Sequence, residues 1–484
     1  MGGFVVGLDV GTTSIALVPI TREGTVLPGR SREHRAEIRT VHPWESLQDP
    51  EKLLRTAREL LRECVEELGP PEAIGVCSQM HGPVYLGARG EAVTPLYTWL
   101  DGRGDLPLPG SSGDSSHTPT DSRTSYAAHL SRITGASLSS GFALVTHYFL
   151  QSGGDVPPNA RAIATAGDFV ATSLAGRSRP LMDATQAHSF GAYDPGTGGW
   201  SFDRARKAGL PAPLLPEIVP AGTILGTWTD SAQTRVTTCV GDNQTSVLGA
   251  AKSFFRDGVL SIGTSGQISV HVETPESPNP AIDVRPFPAP GYLAVGASLT
   301  GGKAYQTLRE FLDDVCVRFG SCAPHSVTYE RMNEVAEELM RSLEERATAP
   351  LDDPDMPNVD TRFLGARSDP RARAAISNLT PWNFTAGHVT LGLLSGMIDE
   401  LHQLFLTLPE ATRESTERLS LTGNALRRNP VLQKLAQLHF DLPTYLPAHS
   451  EEAAVGAAIV AGVGIGIWSS YEEACAAVAA DEHS

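Results

Sequence analysis

Apolar residues fall in short runs along this chain, and many of the runs break at a glycine. Phe4-Val5-Val6 and Ile15-Ala16-Leu17-Val18 flank the stretch Gly7-Leu8-Asp9-Val10-Gly11-Thr12-Thr13-Ser14. That pattern predicts two buried strands joined by a tight turn. A further strand is expected up to about Thr40. After Asp49-Pro50, the residues Leu53, Leu54, Ala57, Leu60, Leu61, Cys64, Val65 and Leu68 recur at helical spacing and stop at Gly69-Pro70. This predicts a helix with Asp as its cap and Pro in its first turn. Ala73 to Cys77 then reads as a short buried strand running into Ser78-Gln79-Met80-His81-Gly82. Strands and a helix in this order open an α/β domain.

The same device returns later. Thr238-Cys239-Val240 leads into Gly241-Asp242-Asn243-Gln244-Thr245-Ser246 and a small-residue helix from Val247 to Ala251. Val259 to Ile262 runs into Gly263-Thr264-Ser265-Gly266 and out through Ile268-Ser269-Val270. An apolar strand, a Gly-Thr-hydroxyl turn and a second apolar strand thus occur once per half. A weak internal duplication accounts for this, with domains at 1–247 and 248–484. The second half continues with a strand from Tyr292 to Ala297, the turn Ser298 to Gly302, a helix from Lys303, a Pro- and Asp-rich loop at 351–357, and a long helix from Gly387 to Phe405. The strand Leu419-Ser420-Leu421 then enters Thr422-Gly423-Asn424-Ala425. A solvated loop is expected at 104–122, and a strand-and-turn region at 181–200. Ala453 to Trp468 is nearly all apolar, yet too short and too rich in Gly and Ala for a membrane span, so a packed helix is expected there.

Composition narrows the class. A chain of 484 residues exceeds one core, which supports two domains. Its net charge of −17 comes from scattered acidic residues and argues against nucleic acid or an anionic membrane as partner. Six cysteines without CxxC or His-partnered spacing predict buried free thiols in a reducing compartment. The first strand begins at Phe4 with no basic stretch before it, so a cytoplasmic location is expected.

Four glycine turns (7–14, 263–266, 301–302 and 422–424) share one logic. Successive backbone N–H groups at such turns form an anion nest, and an Asp beside them can hold a cation or its waters. A nucleoside triphosphate with its metal needs both. The ordered set GLDVGTTS, SQMHG, TWLDGR, GDNQTS, SIGTSG, SLTGG and LTGNALRRNP resembles the FGGY family of carbohydrate kinases, within the actin-like ATPase superfamily, over essentially the whole chain. RPLMDATQAHSFGAYD, LLPEIVPAG and GYLAVGASLTGG look most like that family's sedoheptulokinases, while SQMHG is shared with xylulokinases.

The resemblance implies an α/β fold of two ribonuclease-H-like (actin-like ATPase) domains with a central cleft. It also implies ATP and Mg²⁺ as cofactors, a small-molecule sugar substrate, and a monomer or homodimer. Asp242 matches the catalytic base and, with Asp9, the metal-positioning acids. Gly11, Thr12, Thr13 and Ser14 from one side, and Gly263 and Thr264 from the other, would hold the phosphates. Gly301 and Gly302 resemble a nucleotide-side turn, and Gly423-Asn424 the adenosine pocket. Gln79, Met80, His81, Trp99 and Asp101 match the sugar set; Asp, His and Gln suit vicinal hydroxyls, and an indole face suits a sugar's C–H surface.

Plainer roles compete for some of these residues. Asp242 can cap a helix, His81 and Trp99 can be core residues, and Asp101 can pair with Arg103 at the surface. Ala16, and His147 with Phe149, stand where many relatives carry Lys, and Lys with Trp; neither departure touches Asp9 or Asp242. The implied activity is transfer of phosphate from ATP to the terminal primary hydroxyl of a ketose, with sedoheptulose ahead of xylulose and other polyols. A non-catalytic nucleotide-gated binder is the distant alternative.

Overall fold

The computed structural model describes residues 2–109, 124–277, 279–346, 351, 353–366, 369 and 371–480. Most of the loop expected at 104–122 lies outside them; its first two residues, Gly104 and Asp105, end a short 3-10 helix, Gly102–Asp105. Two compact units divide the chain. Unit 1 comprises Met1–Gly249, Pro286–Pro290 and Glu451–Ser484, and unit 2 comprises Ala250–Arg285 and Gly291–Ser450.

Unit 1 is built on a six-stranded sheet of β1 (Phe4–Val10), β2 (Ser14–Thr21), β3 (Arg30–Glu33), β4 (Ala73–Ser78), β5 (Ile224–Trp228) and β6 (Ser231–Gly241), in the order β5-β6-β4-β1-β2-β3. The β1–β2 and β2–β3 pairs are antiparallel, whereas β1–β4 and β4–β6 are parallel. Parallel pairing needs long crossovers, and helix α1 (Pro50–Leu68) supplies the first. Asp49 caps α1 by accepting from the N–H groups of Glu51 and Lys52, and the predicted stripe from Leu53 to Cys64 is buried. Helix α2 (Ala166–Leu174) packs on the same sheet, and α3 (Asp242–Ala250) follows β6 directly.

The helix Glu452–Gly464 returns from the far end of the chain to cover β1 and β4. Gly7 and Gly75 are paired in register beneath it. A Cβ on Gly7 would lie 1.7 Å from the carbonyl oxygen of Ala454, and one on Gly75 1.9 Å from that of Ala457. Two glycines side by side therefore let a helix backbone rest directly on a sheet backbone. The helix is apolar all round because it is enclosed on all sides. Among the described residues no helix is long and apolar enough to cross a membrane. The sequence grouped 248–484 as one block, whereas the segment from Glu451 onward packs in unit 1.

Unit 2 repeats the plan with β7 (Asp257–Ile262), β8 (Gly266–Val272), β9 (Ile282–Pro286), β10 (Tyr292–Ser298), β11 (Arg418–Thr422) and β12 (Thr444–Tyr445), in the order β9-β10-β8-β7-β11-β12. The β7–β8 and β8–β10 pairs are antiparallel, and β7–β11 and β11–β12 are parallel. This is the β1–β2–β3 hairpin run and the β1–β4–β6 parallel run again, so strand order carries the duplication that the turns suggested. Helices α4 (Gly301–Gly320), α5 (Ala386–Leu406), α6 (Asn424–Arg428) and α7 (Pro430–Phe440) complete the framework, with Leu391, Leu394, Ile398 and Leu401 of α5 in its core.

Some expectations shift. A capped helix, Ala184–Ser189, occupies part of the stretch expected as strand and turn, because Asp183 accepts from the N–H groups of Thr185 and Gln186. Cys64, Cys77, Cys239 and Cys475 are buried free thiols as expected, but Cys316 is half-buried and Cys322 exposed. Both lie at the outer end of α4, where its apolar stripe has run out.

Candidate active site

Parallel pairing places the carboxyl ends of β1, β4 and β6 side by side, where open α/β sheets bind ligands. Asp9 lies opposite Cys77, and Val240 opposite Cys77 on its other flank. Asp242 follows as the first residue of α3, its Oδ1 accepting the N–H of Asn243 at 2.7 Å. Cys77 Sγ is 3.4 Å from Asp9 Oδ1 and 3.3 Å from the carbonyl oxygen of Ala453.

Burial pushes the Asp9 carboxyl up to about 7; the charge of Asp242 adds to the rise, the Cys77 thiol opposes it, and Glu451 adds again. Glu451, half-buried just before the returning helix, is itself raised, by burial first and then by Glu452. Three carboxylates from strand β1, helix α3 and the chain's far end thus crowd one place in unit 1. A hard divalent cation relieves such crowding, and all-oxygen donors suit Mg²⁺.

An acid held above its ordinary 3.8 binds its proton more tightly in the folded chain than in the unfolded one. Its stabilising contribution is complete below about pH 3.8 and is lost as pH rises through about 7. In metal-free buffer, Asp9→Asn therefore becomes more stable relative to the parent between pH 5 and pH 8. Urea denaturation at the two values checks this; an unchanged difference would show that Asp9 carries no such burden.

A second group surrounds Thr12. Gln48 Nε2 donates to the Thr12 carbonyl at 2.7 Å, and Gln79 Nε2 donates to Gln48 Oε1 at 3.0 Å. Thr12 Oγ1 donates toward Gln79 Oε1 at 3.4 Å, while Trp99 Nε1 donates to Thr12 Oγ1 at 3.1 Å. The first turn is thereby tied to Gln79 and Trp99, and Trp99 is 46% exposed, so its ring is a surface and not core packing. The Gly11 N–H donates to the Ser14 carbonyl and His34 N–H to that of Thr13, which fixes the turn and leaves Thr13 exposed.

His81 sits at φ 78°, a left-handed conformation unusual for a side chain bearing a Cβ. Its N–H donates to Ser189 Oγ at 3.0 Å and its Nδ1 lies 3.2 Å from the Ser189 carbonyl oxygen. Nδ1 therefore carries the proton of the neutral ring and Nε2 the lone pair. Met80 is buried, with its sulfur beside Gly241.

Asp101 is different. It is 1% exposed; Oδ1 accepts from Arg103 N–H and Nε, and Oδ2 from Arg103 Nη2 at 3.0 Å and the Ser46 N–H at 3.0 Å. The Arg103 guanidinium lies 4.3 Å above Tyr97 and 5.4 Å from Phe149. Asp101 thus holds the 99–105 segment in place, through a buried pair and not the surface pair considered from sequence. A sugar hydroxyl would have to displace one of those bonds.

In unit 2 the three remaining turns converge. The Gly302 N–H donates to the Gly263 carbonyl at 2.9 Å, and Lys303 N–H to that of Thr264 at 3.0 Å. Gly423, at φ 82°, caps α6, and a Cβ there would lie 2.5 Å from the Ile262 carbonyl oxygen. Gly301 and Gly302 start α4, and Asn424 starts α6. The amides of Gly263 and Gly302 are already used, the former on Ser265, so the turns hold one another and present hydroxyls such as Thr264 more than a bare nest.

Gln48, Cys77, Ser189 and Glu451 escaped sequence reasoning. None lies in a glycine turn; Cys77 adjoins SQMHG, Ser189 lies inside RPLMDATQAHSFGAYD without standing out in it, and the Glu451-Glu452 pair reads only as a helix start. His147 is buried, taking the Tyr85 hydroxyl at Nδ1 (2.7 Å) and reaching the Gly209 carbonyl through Nε2 (3.1 Å).

Residues 4–249 match the model of the N-terminal domain of the FGGY family of carbohydrate kinases, and residues 258–465 match that of its C-terminal domain. Human sedoheptulokinase is 30% identical over 94% of this chain and 96% of its own length. A xylulose kinase of Streptomyces coelicolor is also 30% identical, over 55% of this chain and 53% of its own. In fold, a xylulose kinase from Rhodospirillum rubrum superposes with a TM-score of 0.79 at 22% identity, covering 98% of this chain and 92% of that one. A gluconate kinase from Lactobacillus acidophilus gives 0.79 at 19% identity, covering 98% and 91%.

Proposed function

We propose a substrate and a mechanism for this chain, which belongs to the FGGY family of carbohydrate kinases: it phosphorylates sedoheptulose at the terminal primary hydroxyl, giving sedoheptulose 7-phosphate. The observation that carries the choice of sugar is the sequence similarity to sedoheptulokinases, 30% identical across both units, whereas the equally identical Streptomyces xylulose kinase matches in sequence over little more than half the chain and other xylulose kinases match the whole chain in fold at 22% identity or less.

Asp242 is the base. It takes the hydroxyl proton as the sugar oxygen bonds to the γ-phosphorus and the bridging P–O bond to the β-phosphate breaks, releasing ADP. Trp99, Gln79, Met80 and His81 bind and orient the sugar, with His81 Nε2 as acceptor for a hydroxyl. Asp101 and Arg103 position Trp99 and do not touch the sugar. Thr12, Thr13 and Ser14 in unit 1, and Gly263, Thr264, Gly301, Gly302, Gly423 and Asn424 in unit 2, are assigned to ATP. Asp9, with Asp242 and Glu451 near it, would hold Mg²⁺, which when bound supplies positive charge to the phosphates.

The test is a panel of sedoheptulose, xylulose, ribulose and glycerol with coupled detection of ADP. Sedoheptulose should exceed the others in kcat/KM by roughly tenfold or more, the range set by unpaired hydroxyls and missing carbons. A preference for xylulose or glycerol would replace the substrate, and ADP release from none of them would support the non-catalytic alternative.

A further inference from the structure

Unit 2 contains a cavity of about 1030 Å³ bordered by α5, by residues 356–362 and by Ser377 and Asn378. None of the residues assigned to ATP lines it. On its wall Asp399, His402 and His439 each present a ligand atom within 4.8 Å of the others. Asp399 and His402 share one face of α5, three residues apart, and His439 comes from the last turn of α7, which packs on α5.

The surroundings aim these side chains. His439 Nε2 lies 2.9 Å from Ser395 Oγ, which turns Nδ1 toward Asp399 Oδ1 at 3.8 Å. That distance is beyond a hydrogen bond, so no shared proton joins ring and carboxylate. Gln403 Nε2 donates to Asp399 Oδ1 at 3.1 Å and steadies the carboxylate. The His402 ring stands edge-on to His439 and rests against Phe440 with centroids 4.9 Å apart.

We propose that Asp399, His402 and His439 bind one zinc-class divalent cation, with its remaining position open to the cavity. Two imidazoles and one carboxylate are a borderline donor set that suits Zn²⁺, whereas Mg²⁺ prefers oxygen alone. Ser395 and Gln403 act as the outer partners that orient such ligands. The order Ser395, His439, Asp399 also invites comparison with a hydrolytic triad. Ser395 sits mid-helix, however, where neighbouring amides are used by α5 itself and are not offered to a developing oxyanion. The bound ion would pin α5 to α7 and is independent of the choice of sugar.

The experiment uses the full chain, stripped with a chelator and dialysed against Zn²⁺ in millimolar Mg²⁺, with bound zinc measured by elemental analysis. The parent should retain one zinc more per chain than His402→Ala or His439→Ala, with affinity falling roughly 100-fold in each variant. Co²⁺ in place of Zn²⁺ should give visible ligand-field absorption that both variants lose. Saturating Zn²⁺ should raise Tm by roughly 5 °C in the parent alone. Should a histidine variant fail to fold, Asp399→Asn serves instead, since that carboxylate is half exposed and its loss leaves the core intact. Equal zinc content in the parent and a folded variant, or no zinc retained by the parent, overturns the site.

Discussion

Asp242→Asn is expected to lower turnover by roughly 10²- to 10⁴-fold, the range for loss of a positioned base, with sugar and ATP binding changed only a few-fold. The substitution is nearly isosteric. Its amide oxygen still accepts the Asn243 N–H that starts α3, so the helix and the strand before it keep their places. What is lost is the ability to take a proton as the new P–O bond forms. Removing one negative charge also relieves Asp9, which Asp242 helps to hold near 7. Mg²⁺ dependence should therefore shift modestly while kcat collapses. Rapid-mix assays of ADP release alongside equilibrium binding separate the two effects; turnover within a few-fold of the parent would remove Asp242 from the chemistry.

Asp101→Ala is expected to destabilise the protein by about 3–5 kcal/mol, because it strands the Arg103 guanidinium in a buried place. The pair is 4% and 0% exposed at its side chains, so solvent screens it little. The Ser46 N–H loses its acceptor as well. Thermal unfolding should show a Tm lower by roughly 5 °C. The double variant Asp101→Leu with Arg103→Met should recover most of the loss, since both charges then leave together. A direct sugar ligand would behave otherwise: KM would rise with stability unchanged, and the double variant would rescue nothing.

The contrast between these two aspartates shows where sequence reasoning holds. Both stand in motif-like stretches, and both read as site residues in the sequence. Asp242 follows a buried strand, which its local sequence already implied, although the helix expected from Val247 opens at Asp242 itself and the parallel pairing beside it appears only in the fold. Asp101 lies two residues before an arginine, and nothing in that spacing reveals whether the pair is in water or under Tyr97 and Phe149. Tertiary packing decided that it is buried.

By itself the sequence determined the two hairpins with their hydroxyl-bearing turns, the capped helix after Asp49, the buried apolar helix near the end and the doubled α/β plan. Each of these is written within about ten to twenty residues, by alternation, helical spacing, an Asp-Pro start or a glycine. Only the tertiary structure decided that Glu451 joins Asp9 and Asp242, that Gly302 donates to Gly263, and that two histidines share an aspartate beside a cavity. Those relations link residues tens to hundreds of positions apart. They arise when packing selects one register among many, as the touching glycines beneath the returning helix do, and no local pattern carries that choice.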